Sequence, residues 1–515
     1  MTMQLRKMVG LVAVIACALP ASAAAQTAAR QTNTGVNVAD AYGSTPLHKA
    51  VESADLAAVE RLVRAGANVN AANRYKVTPL SIAALRGEAR IVAALLRAGA
   101  DPNAVMGEGE PVLLTAARSG ALDIVKALVE AGADVNVRER FYGQTPLMWA
   151  AIEDHADVIN LLASRGADVN AKANVLEGEP SWRYGKDSRN GINGEALQNL
   201  NTNFSKGGLS PLMYAARQGA TDAVRALIDR GADPSATDPE GFAPLQIAIV
   251  NAYYDTAAAL IEKGADVGQA DRSGQTPLYA IADMRSLLWT YNRPTPRAQN
   301  RIDSLELARL LIAKGAKVDA KLTGPARRPL GGGGSALAGR GATPFVRAAV
   351  TSDLPLMRLL LDRGADPTVT TNDGSNALHA AAGVRWNDNT MKTAVALGFG
   401  TEEDSIEAIK MLMGFGLEVT TANNSGTTAL HGAADRGANQ VIRFLVENGA
   451  DLNAMTKPTV RPTTVDNEPP QNVPGQTPLD SAIDADPPNP ATIALLRELM
   501  GKDAADPTRA PSRRR

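Results

Sequence analysis

The sequence predicts an all-α repeat solenoid of about eleven stacked helix-turn-helix units joined by β-hairpin fingers, and three observations carry that prediction. A Thr-Pro-Leu signature first appears at Thr45-Pro46-Leu47-His48 and returns at Thr78-Pro79-Leu80, a spacing of 33 residues. A second signature closes the units, as in Gly66-Ala67-Asn68-Val69-Asn70 and Gly132-Ala133-Asp134-Val135-Asn136. Finally, 45% of the residues are hydrophobic but only 4% are aromatic, so the core must come from Ala, Leu, Val and Ile in closely packed helices. The length of 515 residues, taken alone, would suggest three or four globular units at roughly 150 residues each. The period replaces that expectation.

In chain order, residues 1–25 carry Arg6-Lys7, an apolar run from Met8 to Leu19, Pro20 and the small stretch Ala21-Ser22-Ala23-Ala24-Ala25. This is the layout of a secretory signal peptide, cleaved near Ala25 to leave Gln26 first. The run is too short for a membrane helix of roughly 20 apolar residues, and no later stretch approaches one. The expected location is periplasmic or secreted. An alternative remains in Val14-Ile15-Ala16-Cys17, which resembles a bacterial lipobox and would make Cys17 a lipidated N-terminus. Residues 26–40 form a linker.

The array spans 41–501. Within a unit, Thr at the N-cap accepts from the first free amides, and Pro at the first helical position has no amide to leave unpaired, so Thr-Pro opens a helix. A short Ala-rich helix follows, then a turn and a second helix with apolar residues at helical spacing, such as Leu56, Val59, Leu62 and Val63. Gly66 supplies the left-handed residue that ends it. About a dozen residues rich in Asn, Asp and Gly then suit a turn or hairpin. Further openings stand at Thr145, Ser210, Ala243, Thr276, Thr343 and Thr477, with weaker copies at Pro111-Val112-Leu113, Asn376-Ala377-Leu378-His379 and Thr428-Ala429-Leu430-His431.

The period breaks in four places, and a break in a regular array is where individual function is written. Pro146 to Pro211 is 65 residues, which places an insertion near 173–206 in a finger. Pro277 to Pro344 is 67, with extra residues near 291–303 and a Gly-rich linker near 321–341. Ala377 to Ala429 is 52 and Ala429 to Pro478 is 49, giving insertions near 385–403 and 456–474. Residues 502–515 read as a disordered basic tail.

Function follows from what stands out against this background. The first insertion carries Trp182, Arg183 and Tyr184, residue types that dominate interface energetics when desolvated. Tyr42, Tyr75, Phe141, Tyr142 and Phe242 map near the finger tips, where they form either a binding edge or a row of rings packed on neighbouring fingers. Trp149 and Tyr214 take helix positions filled by Leu in other units and are assigned to the core.

These motifs resemble the ankyrin-repeat family, over residues 41 to about 500, and with the leader suggest an exported bacterial type. The resemblance implies a helix-turn-helix with a hairpin finger, stability through stacking, and function by binding a protein. It implies that the positions after the Ala-Ala of the first helix face a groove. Arg86, Arg118, Glu153 and Arg217 fall there with Leu85, Ile152 and Val250, a mixture suited to a protein partner rather than to nucleic acid. It also implies that His48, His379 and His431 tie neighbouring repeats and that His155 sits on an inter-helix turn. No histidine is left for catalysis.

Other chemistry is excluded on similar grounds. There are 53 Lys plus Arg against 54 Asp plus Glu, so no global field recruits nucleic acid. One cysteine, Cys17, rules out a disulfide framework and a multi-Cys zinc site. Gly331 to Gly334 lacks the Gly-Lys-Ser/Thr of a phosphate loop, and Asp187, Asn190, Asn193 and Glu195 lack calcium-loop spacing. The sequence therefore predicts a monomeric, exported, non-catalytic scaffold with a protein partner, no cofactor and no metal. Two other classes stay open: a small-ligand or glycan site, or an enzyme, in a pocket under the 173–206 insertion, and a lipid-anchored envelope element.

Overall fold

A computed structural model describes residues 35–107, 109–176, 206–286, 300–324, 340–384, 400–461, 471–485 and 488–501. The leader segment, most of the 26–40 linker, the tail from 502, the greater part of the first four insertions, with Trp182, Arg183 and Tyr184, and residues 462–470 of the fifth lie outside the described residues. The chain divides into two compact units. The first runs to Val112 and includes Glu130–Ala133; the second comprises Leu113–Val129 and Asp134 onward.

Among the described residues the first unit holds two helix pairs, α1 (Pro46–Glu52) with α2 (Leu56–Arg64) and α3 (Pro79–Leu85) with α4 (Ala89–Arg97). The second holds nine: α5 (Val112–Ser119) and α6 (Leu122–Glu130), α7 (Pro146–Ile152) and α8 (Ala156–Ser164), α9 (Pro211–Gln218) and α10 (Thr221–Asp229). Next come α11 (Pro244–Val250) and α12 (Tyr254–Glu262), α13 (Pro277–Ser286) and α14 (Ser304–Ala313), α15 (Pro344–Ala349) and α16 (Leu354–Asp362). The last are α17 (Ala377–Ala382) and α18 (Glu402–Gly414), α19 (Ala429–Arg436) and α20 (Asn439–Glu447), α21 (Pro478–Asp484) and α22 (Pro490–Leu499). These eleven pairs of the described residues correspond to the eleven repeats of the sequence.

Local chemistry sets where each pair begins and ends. Thr78 Oγ1 accepts from Ser81 N at 3.2 Å and Thr145 Oγ1 from Met148 N at 3.3 Å, and Pro follows each cap. Where Thr-Pro is lost, Asn376 Oδ1 takes the same role by accepting from His379 N at 3.0 Å. Gly66 closes α2 with φ +83, as its position after the helix requires.

Stacking supplies the core. From α7 to α21 the first helices of successive pairs pack on one another, and the second helices, α8 to α22, form a second layer. The signature leucines Leu147, Leu212, Leu245 and Leu278 are fully buried between layers, and the Ala pairs Ala150-Ala151 and Ala215-Ala216 allow close approach. A polar ladder runs along the closing signatures. In the first unit Asn70 Nδ2 donates to Gly99 O at 3.0 Å while its Oδ1 accepts from Asp101 N at 2.8 Å. In the second, Asn170 makes the same pair of bonds to Gly231 O and Asp233 N across 61 and 63 residues, so the first insertion leaves the ladder unbroken.

The fingers are turns more than ladders. Asp40, Asn73, Asp238, Asp271 and Asn423 each accept from two backbone N–H groups of their own finger, which holds the tip by a side chain. Among the described residues, paired strands stand only at the roots of two insertions. β1 (Val175–Leu176) pairs antiparallel with β2 (Lys206–Gly207), Val175 opposite Gly207, and β3 (Thr459–Arg461) pairs with β4 (Gln471–Val473).

Candidate protein-binding surfaces

In the second unit one finger edge is built from residue 138 onward. Glu139 accepts from Phe141 N at 2.7 Å, Tyr142 N at 2.5 Å and Gln144 N at 3.1 Å, so the turn is satisfied internally and its rings are free to project. Phe141 is 57% exposed and Tyr142 54%. Arg140 lies 6.0 Å from the Phe141 ring centroid. Arg138 Nη1 donates to Gly143 O at 3.0 Å and Lys172 O at 2.7 Å, and Asn174 N donates to Tyr142 O at 2.7 Å; these bonds fasten this finger to the next.

Beyond that junction the edge opens into a cleft of about 400 Å³ lined by Lys172, Val175, Gly208, Asp238, Pro239 and Arg272 among others. Val175 is 47% exposed. Lys172 Nζ donates to Thr237 O at 3.2 Å, and Arg272 N to Glu240 O at 3.3 Å, so three fingers contribute walls. Asp238 Oδ1 accepts from Glu240 N at 2.9 Å and Phe242 N at 2.8 Å, and burial holds its carboxyl above the usual range.

A second surface of the same unit lies on α5, α7 and α9. The Arg118 guanidinium stands 5.2 Å over the Trp149 ring, and Arg217 stands 5.0 Å over Tyr214. Tyr214 is buried with Met148, Ala171 and Ala173, and Ile152 packs against that cluster. Glu153 is exposed at the end of α7. The expectation of a core Trp149 is corrected: the ring is half-buried, because it follows the inward Met148 by one residue and so turns toward Arg118. Among the described residues its buried Nε1 meets no acceptor.

The remaining sequence candidates divide cleanly. In the first unit Tyr42 is 63% and Tyr75 64% exposed, both three residues before their cap Thr, and Arg86 is exposed at the end of α3. Phe242 is not a tip residue: it is 4% exposed. It stands immediately before the helix opening Ala243-Pro244, its carbonyl accepts from Asp238 N at 3.1 Å, and the turn of this finger is made by Pro239 and Glu240, with Glu240 buried. Counting back from the opening would have separated it from Tyr142. Val175, Lys172 and Arg272 were missed, since no single finger shows that three fingers share a cleft.

Within each unit the histidines tie neighbouring helix pairs. His48 Nδ1 accepts from Thr45 N at 3.1 Å and its Nε2 donates to Val77 O at 3.1 Å; His379 and His431 repeat the pattern to Thr421 O and Gln476 O, each at 3.0 Å. His155 Nε2 reaches Arg118 O at 3.2 Å. Among the described residues no three His, Cys, Asp or Glu converge as a metal site, and no helix is long and apolar enough to cross a membrane.

A family model described as "Ankyrin repeats (3 copies)" matches residues 15–106, 80–173, 188–271, 347–456 and 397–508, together more than half of the chain. The chain is 27% identical over 133 residues to the palmitoyltransferase AKR1 of Lachancea kluyveri, covering 22% of this chain and 18% of that protein. It is 30% identical over 99 residues to the E3 ubiquitin-protein ligase KEG of Arabidopsis thaliana, covering 19% of this chain and 5% of that protein. The chain thus spans less than a fifth of the length of either curated relative. Among solved structures, the ankyrin repeat domain of Bcl-3, a member of the IkappaB family, is 26% identical and covers 46% of this chain and 94% of its own, with a TM-score of 0.37. The human ASB11 ankyrin repeat domain is 20% identical and covers 53% and 99%, with a TM-score of 0.38.

Proposed function

The chain belongs to the ankyrin-repeat family, and from that premise we propose that it is an exported, non-catalytic, monomeric scaffold whose second unit binds a protein partner. The observation that carries this reading is the Phe141-Tyr142 tip. Two large rings stand more than half exposed while Glu139 satisfies the backbone beneath them, a projection whose exposed part gains from contact with another protein rather than from folding. The stacked pairs Arg118–Trp149 and Arg217–Tyr214 support the same reading, because Arg and aromatic side chains anchor interfaces. Activities in the names of the two curated relatives belong to those proteins, of which this chain spans 18% and 5%.

The experiment is affinity capture from native extract with whole protein, comparing the natural chain with Phe141→Ser/Tyr142→Ser. A discrete protein retained by the first and released by the second is the expected result; identical capture by both contradicts it. The cleft beside Val175 favours a second reading, binding of a small ligand at the root of the 177–205 segment, with open walls and three fingers contributing. Calorimetry with metabolite and glycan pools, repeated on Val175→Asp, separates the two: heat abolished by that change with no captured protein would favour the ligand.

A further inference from the structure

Along the finger edge the cations meet no carboxylate among the described residues: Lys172 Nζ reaches the Thr237 carbonyl and Arg140 lies over the Phe141 ring. Glu139 and Asp238 accept backbone N–H groups of their own fingers. Arg140, Lys172 and Arg272 are exposed, and none takes part in an ion pair among the described residues. The cleft between them has an apolar wall of Val175 and Pro239, with Lys172 from the preceding finger and Arg272 from the following one. That wall is continuous because Gly208 has no side chain: at φ +68, a Cβ there would lie 2.9 Å from Pro239 Cδ and 3.1 Å from Val175 Cγ2.

We infer that this edge docks an extended acidic segment of the partner, its carboxylates meeting Arg140, Lys172 and Arg272 and one apolar side chain entering the cleft beside Val175 and Pro239. The inference rests on the protein-binding reading and narrows it to a chemistry. Positive tips with satisfied neighbours recruit negative groups, and an apolar slot between them selects what lies between those groups. The geometry also sets a spacing. Lys172 and Arg272 lie two fingers apart, about 20 Å at roughly 10 Å per layer, which an extended chain covers in about six residues. The segment should therefore carry acidic residues about six apart, flanking an aliphatic or aromatic one.

The test is selection of a displayed library of random peptides, each about 12 residues long and so able to cross three fingers, on the whole protein. The expected outcome is enrichment of that acidic, apolar, acidic pattern, with affinity that falls as salt is raised and falls about tenfold or more on Lys172→Glu/Arg272→Glu. Both positions are exposed, and an unchanged circular dichroism melt certifies the variant. No enrichment, enrichment of neutral or basic peptides, or binding indifferent to the double reversal overturns the inference. So does a homopolymeric single-stranded RNA that binds this edge more tightly than any selected peptide. None of those results touches the broader reading, which fails separately if Phe141→Ser/Tyr142→Ser releases nothing the natural chain captures.

Discussion

Arg347 on α15 donates from Nε to Asp283 Oδ1 on α13 at 2.8 Å, and neither side chain is more than 8% exposed. Beside it Arg285 makes a two-point contact with Asp353, at 2.6 and 2.8 Å. These two ion pairs join α13 to the following helix pair at the place where the repeat spacing stretches to 67 residues. Buried charges are costly unless paired, so the longest connection is bridged by interactions that leave little freedom of register.

Removing one partner should therefore be expensive. Asp283→Ala leaves a buried guanidinium whose Nη1 and Nη2 already meet no acceptor among the described residues, and a loss of about 3–5 kcal/mol is expected, read from urea denaturation or amide exchange over α15. The double change Asp283→Leu/Arg347→Met should be close to neutral. Equal losses from both would mean that packing, not charge, dominates the site.

Stability should fall with acid through the histidines that tie neighbouring helix pairs. Burial holds His379 and His431 below their ordinary value of 6.5, in spite of smaller raising effects from Asp373 and Asp480. The folded state binds fewer protons than the unfolded state below that value, so this contribution is complete above about pH 7 and is lost as pH drops through 6.5 toward the folded value. The chain itself supplies the control, since Gln246 fills the same slot, accepting from Ala243 N at 3.2 Å and donating to Gln275 O. His379→Gln/His431→Gln should keep the bonds and flatten the slope of urea midpoint against pH; an unchanged slope would assign the acid sensitivity elsewhere.

Two left-handed glycines should respond differently to alanine. At Gly219, φ +74, a Cβ would lie 2.0 Å from Tyr253 Cδ1, whereas at Gly231, φ +92, nothing lies within 4 Å. Gly231→Ala is expected to cost about 1 kcal/mol for its backbone alone, and Gly219→Ala about 2–4 kcal/mol because the ring must also move. Thermal melts of the two variants decide this, and equal shifts would refute the steric part.

Much of this was legible because each unit writes its own boundaries. Helices begin at Pro46, Pro79, Pro146 and Pro211, where Thr-Pro or Ser-Pro places them, and Tyr42, Tyr75 and Tyr142 stand at tips because each lies three residues before a cap. What the pattern did not disclose depends on neighbours in space. Phe242 is buried by its place next to the helix opening, and Trp149 is drawn out of the core by Arg118, which belongs to the preceding pair. The cleft beside Val175 needs residues from fingers up to 100 positions apart, Lys172 to Arg272. Periodicity reports one unit at a time.

Export makes its own prediction at the N-terminus. Mass spectrometry of the mature protein should find Gln26 first, the product of cleavage after Ala25. An acylated Cys17 at that end would contradict a freely exported scaffold and support the lipid-anchored envelope element.

The most direct test of the central claim is site-specific photocrosslinking in living cells, with a benzophenone amino acid at Tyr142 and, as control, at the exposed outer-helix position Arg309. A scaffold that holds a protein on its finger edge should give one discrete adduct from position 142 and none from 309. No adduct from 142, or the same diffuse set from both positions, would contradict it.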